Sequence, residues 1–358
     1  MFDWTLPDDP GELLAAIPAL LGFYPTDSLV LVMLKPSDDP SRLQVGAVAR
    51  HDLPVPGNPL RDLARQATAV CATQGAVGVL LVLIDSETHS APELSDVHRS
   101  VAETFEQSFT AENIAMPRAW ATSSIAPKSP WWNIFDPSKT GIIPDPDASA
   151  IAVAHVVKGR PIFHSRTELT RMIHPDRETA DQVRELIDTN PTLPLRDPDS
   201  EAAEAELDEQ RSTMLRLLID HVDRLDLDTP PTVRQIAEIA LVLGDGKVRS
   251  CLLALALTDR AVAAQNLWAL LTRSLPDPYR ADAATLLGYS AYVTGDGPAA
   301  GIALQAALAS NNRHSLAGLL DTALRVGLPP DEVRRMAEHG LDVAFELGVV
   351  LGPGPGFD

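Results

Sequence analysis

Between residues 13 and 34 the hydrophobic pattern changes from a helical period to a strand period. The helical part carries its apolar residues at Leu13, Leu14, Ile17, Leu20 and Leu21. Gly22 ends this pattern, and Pro25–Ser28 supply residues typical of a turn and of a helix cap. Leu29–Leu34 is then an unbroken apolar run, which predicts a strand buried on both faces. We take this stretch as the nucleus of an α/β domain.

Three further apolar runs predict the rest of a sheet. Leu43–Ala49 follows the first strand after a short polar connection, which favours an antiparallel hairpin. Two more strands are predicted at Val77–Ile84 and Ile114–Ala121, each preceded by a helical pattern. Strands separated by helices indicate pairing that is at least partly parallel. We therefore expect a mixed sheet covered by helices on both faces.

The second half of the chain has a different pattern. Residues 189–200 are rich in Pro and Asp and have no periodicity, which is typical of a domain boundary. Helical periodicity follows, interrupted only by short turns, so sequential helices are expected to be neighbours in an all-α domain of helical hairpins. The predicted limits are an α/β domain at 1–190, a linker at 191–200, a helical domain at 201–350 and a flexible tail at 351–358.

One part of the helical half resembles a tetratricopeptide repeat. In that family, small residues at fixed spacings let paired helices approach closely. This chain has one unit with those spacings, at Leu287-Gly288, Gly295, Ala300, Leu304 and Ala307. We expect a stack of helical hairpins similar to tetratricopeptide repeats.

The charge and composition of the chain limit the classes of molecule that it is expected to bind and the compartment in which it is expected. The 358 residues carry a formal charge of −20, which repels nucleic acid and anionic membrane surfaces. No run approaches the ~18 apolar residues of a membrane span, and the first residues lack the pattern of a secretion signal. Cys71 and Cys251 have no CxxC spacing and are read as buried thiols in a reducing compartment. A cytoplasmic protein is expected.

Polar residues next to the predicted strands form one candidate site. Ligands in open α/β sheets bind beyond the ends of strands, where polar side chains collect. We hypothesise that five such residues line one crevice able to hold a small ligand. The alternative is that they cap turns and form an ion pair or loop hydrogen bonds. The five residues are Asp27, Ser28, Arg50, Asp52 and Asp85.

Trp131 and Trp132 are the other notable feature, inside residues 127–146, which are dense in Pro, Gly and Asp. We expect this segment to be a long loop. Exposed tryptophans are enriched at binding hot spots, so the pair is a possible aromatic anchor for a partner. The alternative is that both rings pack against the edge of the sheet or between the domains.

Familiar catalytic and cofactor motifs are absent from the sequence. There is no GxGxxG after a strand, no GxxxxGK[ST] and no GxSxG, so a nucleotide site or a nucleophile elbow has no support. The nine histidines form no HExxH motif. We assign no catalytic residue, no cofactor and no metal ligand.

Six stretches spread along the chain form recognisable motifs: Leu14–Val30, Ala49–Pro54, Gly159-Arg160, Ser165-Arg166, the helix of Trp268, and Gly295-Asp296-Gly297. Together these motifs resemble the actinobacterial domain-of-unknown-function 4192 family. The resemblance implies an actinobacterial cytosolic protein, and it brings no activity, cofactor or catalytic residue. His51 stands where the family usually has a hydrophobic residue, so we assign it no role.

The sequence therefore favours an interaction protein over an enzyme. Stacked helical hairpins present extended surfaces for partners, and no catalytic constellation is visible. We expect a non-catalytic protein-interaction or adaptor module with an unidentified protein partner. The alternative is a small-ligand sensor or an enzyme that uses the crevice at the ends of the strands.

Overall fold

A computed structural model describes residues 6–37, 42–54, 56–88, 96–157, 161–189, 201–226 and 229–352. The chain divides into two compact units. The sheet unit comprises Met1–Leu169 and Arg325–Leu328, and the helical unit comprises Thr170–Leu324 and Pro329–Asp358. The linker predicted at 191–200 and the end of the predicted tail, 353–358, lie outside the described residues. The domain limits expected from the sequence stay a prediction.

The sheet unit contains a mixed six-stranded sheet in the order β2-β1-β3-β4-β5-β6. The β1–β2, β1–β3, β4–β5 and β5–β6 pairs are antiparallel, and the β3–β4 pair is parallel. The expected hairpin and the expected parallel pairing are both confirmed. The strands are β1 (Ser28–Pro36), β2 (Leu43–Asp52), β3 (Gly78–Ile84), β4 (Ala115–Thr122), β5 (Pro130–Asn133) and β6 (Thr140–Ile142).

Helices cover both faces of this sheet. Leu29, Leu31 and the alternate residues of β3 pack with the buried stripes of α2 and α3. Val30 and Val32 point to the other face and pack with α1. This two-sided burial is the reason that β1 is apolar at every position from Leu29 to Leu34. The helices of the first half are α1 (Pro10–Leu21), α2 (Asn58–Thr73), α3 (Asp96–Ala111), α4 (Ala150–Val157), α5 (Arg166–Arg171) and α6 (Arg177–Thr189), of which α6 belongs to the helical unit.

The segment 127–146 is not the simple loop that its composition predicts. It contains β5 and β6, which extend the sheet beyond β4. Pro130 stands at the first position of β5, where a strand tolerates proline. The two strands are only 4 and 3 residues long, so neither can show a two-residue period that is recognisable in the sequence.

Every regular element that the structure describes between 201 and 352 is helical. Glycines allow two of the close helix contacts: Gly288 of α11 lies against Leu304 of α12, and Gly340 of α14 lies against the backbone of Ser250 in α9. No helix of the described residues is long and apolar enough to cross a membrane. The helices are α7 (Glu201–Asp226), α8 (Val233–Leu243), α9 (Gly246–Ala254), α10 (Ala261–Ser274), α11 (Arg280–Val293), α12 (Gly297–Ser310), α13 (Ser315–Arg325) and α14 (Pro330–Glu346).

Candidate functional site

The five polar residues that the sequence singles out lie together at one end of the sheet. Because β1 runs antiparallel to both of its neighbours, its first residue stands beside their last residues. Ser28 is opposite Asp52 of β2 and Ile84 of β3. Asp27 precedes β1 and Asp85 follows β3, so both belong to the same end. We call this group, with its hydrogen-bond partners, the sheet end.

Arg50 is held at the sheet end by three groups of the chain itself. Its Nε donates to Ser28 Oγ at 2.8 Å and its Nη2 donates to the Thr26 carbonyl at 3.3 Å. Its Nη1 pairs with the Asp52 carboxylate, which is exposed to solvent. Ser28 is fully buried, and its hydroxyl donates to the Thr26 carbonyl at 2.6 Å. The guanidinium therefore fastens the end of β2 to the turn before β1.

Asp27 joins that turn to the segment after β3. Its φ of +43° lies in the left-handed region, which Asp tolerates better than most residues. The carboxylate accepts hydrogen bonds from Ser86 Oγ at 2.7 Å and from the Ser86 amide at 3.1 Å. These two hydrogen bonds hold the pKa of the Asp27 carboxyl below its ordinary value.

Asp85 binds a buried histidine that the sequence analysis missed. Asp85 Oδ2 lies 2.8 Å from His98 Nε2, and His98 in α3 is only 4% exposed. The same carboxylate accepts from the Glu87 amide at 3.0 Å and from Thr88 Oγ1 at 3.3 Å. One sequence signal could have identified His98: it lies three residues before Val101, inside the apolar stripe of α3. A polar side chain in that stripe needs a buried partner.

Thr122 closes the sheet end at the last position of β4. Its Oγ1 lies 2.9 Å from the carbonyl oxygens of Ser124 and Pro130, and its own carbonyl accepts from the Asp85 amide at 3.0 Å. Of the five predicted residues, Ser28, Arg50 and Asp52 bind one another, whereas Asp27 binds Ser86 and Asp85 binds His98 and the segment after β3. Hydrogen bonds thus connect the ends of β1, β2, β3 and β4, and the Asp85–His98 contact joins them to α3. Among the described residues, no group of three or more His, Cys, Asp or Glu side chains is placed to hold a metal ion.

Trp131 and Trp132 lie in β5 and are 8% and 6% exposed. The Trp131 ring covers Gly141 of β6, where an added Cβ would come within 2.6 Å of the ring. Trp131 belongs to the hydrophobic core on the α1 face of the sheet. This burial favours packing at the sheet edge over an exposed aromatic anchor.

Large apolar side chains are exposed in both units: Ile142 of β6 is 63% exposed and Val153 of α4 is 52% exposed, and the two with the largest exposed fractions among the described residues lie in the helical unit. Phe345 at the end of α14 is 77% exposed, and Val350 just beyond it is 82% exposed. Leu319 of α13 is 61% exposed and Val262 of α10 is 52% exposed. The helical unit also has a polar surface cavity of about 180 Å³ beside Arg260, whose guanidinium binds both carboxylate oxygens of Asp223.

The first of the family motifs, Leu14–Val30, includes the residues that connect α1 to β1. Gly22 is the left-handed residue that ends α1, with φ +75°. Phe23 forms a parallel bridge with Phe163, and Tyr24 Oη donates to Asp147 at 2.6 Å. These contacts hold the chain in place before the turn at Asp27. Residues 159 and 160, which carry another of the motifs, lie outside the described residues.

Comparison with known families gives one match. The model described as "Domain of unknown function (DUF4192)" matches residues 10–331. No curated protein and no solved structure matches the chain. The match covers most of both units, including the sheet end and almost all of the helices described above. It names no activity, so the function has to be argued from the residues themselves.

Proposed function

This chain belongs to the DUF4192 family, and we propose that it is a non-catalytic protein-interaction or adaptor module. In this proposal the helical unit offers the binding surface and the sheet unit is a stable support. The sheet end supports this division of roles, because its least exposed charged side chains are bound to groups of the chain itself. Arg50 and Asp85, the best-buried charged residues there, each bind at least three groups of the same chain.

The exposure of Phe345 and Val350 is the observation that carries the proposal. Burying a large apolar side chain is favourable by about 1.5–3 kcal/mol relative to leaving it in water. Val350 alternates with Val349 and Leu351, which are each only 3% exposed. Val349 and Leu351 fill the inward positions of this segment, so Val350 between them points to solvent. Aromatic and large apolar side chains in such positions are typical anchors of protein interfaces.

The same proposal includes the resemblance to tetratricopeptide repeats. Gly288 in α11 faces Leu304 and the Ala300 carbonyl of α12, the kind of close helix pair that small residues permit. Gly295 adopts φ +83° in the turn between these helices. A stack of such pairs would supply an extended partner surface.

The partner that we propose is a protein in the cytoplasm of an actinobacterium. The charge of −20 disfavours nucleic acid and anionic membranes as partners. We propose no cofactor and no catalytic residue for this function.

The alternative function, a small-ligand sensor or an enzyme at the sheet end, has one observation in its favour. His98 and Asp85 form a buried pair at the ends of strands, a position where ligand sites of α/β proteins are found. In that alternative the pair would bind or orient a small polar ligand.

Native mass spectrometry of the tagged protein, purified gently from its own host, tests the two functions against each other. The adaptor proposal expects a protein partner at fixed stoichiometry that is lost in Phe345→Ser and retained in Leu319→Ser, the matched exposed control on α13. A small molecule at fixed stoichiometry that is lost in Asp85→Asn would overturn the proposal in favour of the sensor. Wild-type protein that carries neither would also contradict it.

A further inference from the structure

The exposed face of α14 combines apolar residues with unbalanced negative charge. Phe345 stands four residues after the half-buried Leu341, so both side chains lie on one side of the helix. Glu338, Asp342 and Glu346 are all exposed and follow one another at intervals of four residues. This spacing places the three carboxylates in one row next to the apolar pair.

The row is unusual among the charges of α14, because none of its carboxylates forms an ion pair with a described residue. The other charged pairs of this helix are internal: Arg334 pairs with Asp331 and Arg335 pairs with Glu332. Like charges at i and i+4 destabilise a helix by about 0.2–0.5 kcal/mol per pair. This repulsion occurs beside Phe345, the most exposed aromatic residue in the part of the chain that the structure describes.

We propose, as a refinement that rests on the interaction function above, that this face of α14 binds a cationic amphipathic helix of the partner protein. A helix rises 1.5 Å per residue, so the three carboxylates are about 6 Å apart along the axis. Lys or Arg at i, i+4 and i+8 of a second helix has the same spacing. Apolar residues of that helix would cover Phe345, in the manner of helix pairs with flanking charges.

The negative charge of the α14 face favours a cationic helix over the two other candidates for binding there, a second copy of the chain and the last residues of the chain. A second copy of the chain would bring the same carboxylate row and a total charge of −20, so it would be repelled. The last residues of the chain, 353–358, contain Asp358 as their one charged side chain and offer no cation. A cationic helix is attracted by the row and also removes Phe345 from water.

A model peptide tests this proposal directly. The probe is a fluorescently labelled helix of about five turns with Leu on one face and Lys on the other, and its scrambled counterpart has the same composition. Fluorescence anisotropy measures binding between about 0.05 and 0.3 M salt. The test variants are Phe345→Ser and the triple change Glu338→Gln, Asp342→Asn, Glu346→Gln. The controls are Leu319→Ser and a triple neutralisation of exposed acids on α6, namely Asp181→Asn, Glu185→Gln, Asp188→Asn.

We expect Phe345→Ser to weaken binding of the helical peptide about tenfold. The α14 triple variant should weaken it similarly and reduce its salt dependence, while both controls stay within about twofold of wild type. Circular dichroism checks that each variant is folded. Equal binding of the scrambled peptide, or equal loss in the α6 triple variant, would overturn the proposal, because attraction to any acidic surface would then explain binding. Self-association that Phe345→Ser abolishes would overturn it in favour of a second copy.

A failure of the cationic-helix proposal can be distinguished from a failure of the adaptor function. If the peptide does not bind but a native partner is still lost in Phe345→Ser, the chemistry of the partner is wrong and the interaction function stands. If the native partner is absent as well, both proposals fail.

Discussion

Gly340 in α14 gives the sharpest test of how the helical unit packs. A Cβ added there would lie 2.1 Å from the Ser250 carbonyl oxygen and 3.0 Å from its carbonyl carbon in α9. An ordinary carbon-to-oxygen contact is about 3.3 Å or longer. Gly340→Ala therefore forces α14 and α9 apart by roughly 1 Å, since the obstacle is backbone and has no alternative rotamer.

The expected magnitude follows from two opposing effects. Overpacking of this kind costs about 1–3 kcal/mol, and the short contact favours the upper end of that range. Replacing a helical Gly by Ala returns about 1 kcal/mol of helix propensity. The net destabilisation is about 2 kcal/mol, which for a unit of this size lowers the Tm by about 4–8 °C.

Gly318 provides the matched control for this change. It lies inside α13, and an added Cβ would meet no atom within 4 Å. Gly318→Ala should therefore raise the Tm by about 2–4 °C through helix propensity alone. Thermal unfolding followed by circular dichroism measures both variants. A Gly340→Ala protein that is as stable as Gly318→Ala would refute the close packing of α14 on α9.

Three further predictions concern titratable and buried groups. Burial lowers the pKa of His221, so the folded state favours the neutral imidazole ring. The stability that the buried neutral ring contributes is fully present above pH 6.5, the ordinary pKa of histidine, and is lost as the pH falls below that value. In urea titrations at pH 7 and pH 5, His221→Leu should therefore lose less stability on acidification than wild type does. Burial raises the pKa of Cys71 to about 12 and of Cys251 to about 11. Neither thiol should therefore react with a thiol reagent at pH 8 until the protein is unfolded. Rapid modification of the native protein would contradict this prediction. Asp85→Asn and His98→Gln should each destabilise the sheet unit by about 1–3 kcal/mol, and the double variant by less than their sum, as a double-mutant cycle with urea unfolding would show.

The parts of the fold that the sequence predicts are those with a strong local signal. Leu29–Leu34 is apolar at every position because both sheet faces are covered, and that pattern can be recognised without any partner strand. The strands of the Trp131 segment are missed for the opposite reason. Their stability depends on long-range contacts such as the packing of Trp131 on Gly141, which no local period encodes.

The residues of the sheet end are likewise only partly predictable from the sequence. Asp27, Arg50 and Asp52 can be brought together from the hairpin alone, because an antiparallel register places one strand's start beside its neighbour's end. Asp85 reaches the same end through the antiparallel β1–β3 pair, which the sequence pattern does not predict. The partners of these residues are not predictable in that way. The pairing of Asp85 with His98 depends on where α3 packs over the sheet, and only the structure shows that position.

Two groups of acidic residues in this protein differ physically, and the difference bears on where we propose that function lies. At the sheet end, Asp27 and Asp85 accept hydrogen bonds from the chain itself, so the fold alone explains why they are acidic. On α14, Glu338 and Asp342 repel each other and form no ion pair with a described residue, and unlike the exposed acids of α6 they stand beside a largely exposed aromatic ring. Stability would improve if the second group were neutral. A cation from outside the chain is the simplest physical compensation for that repulsion, and the exposed ring of Phe345 lies where the same partner would cover it.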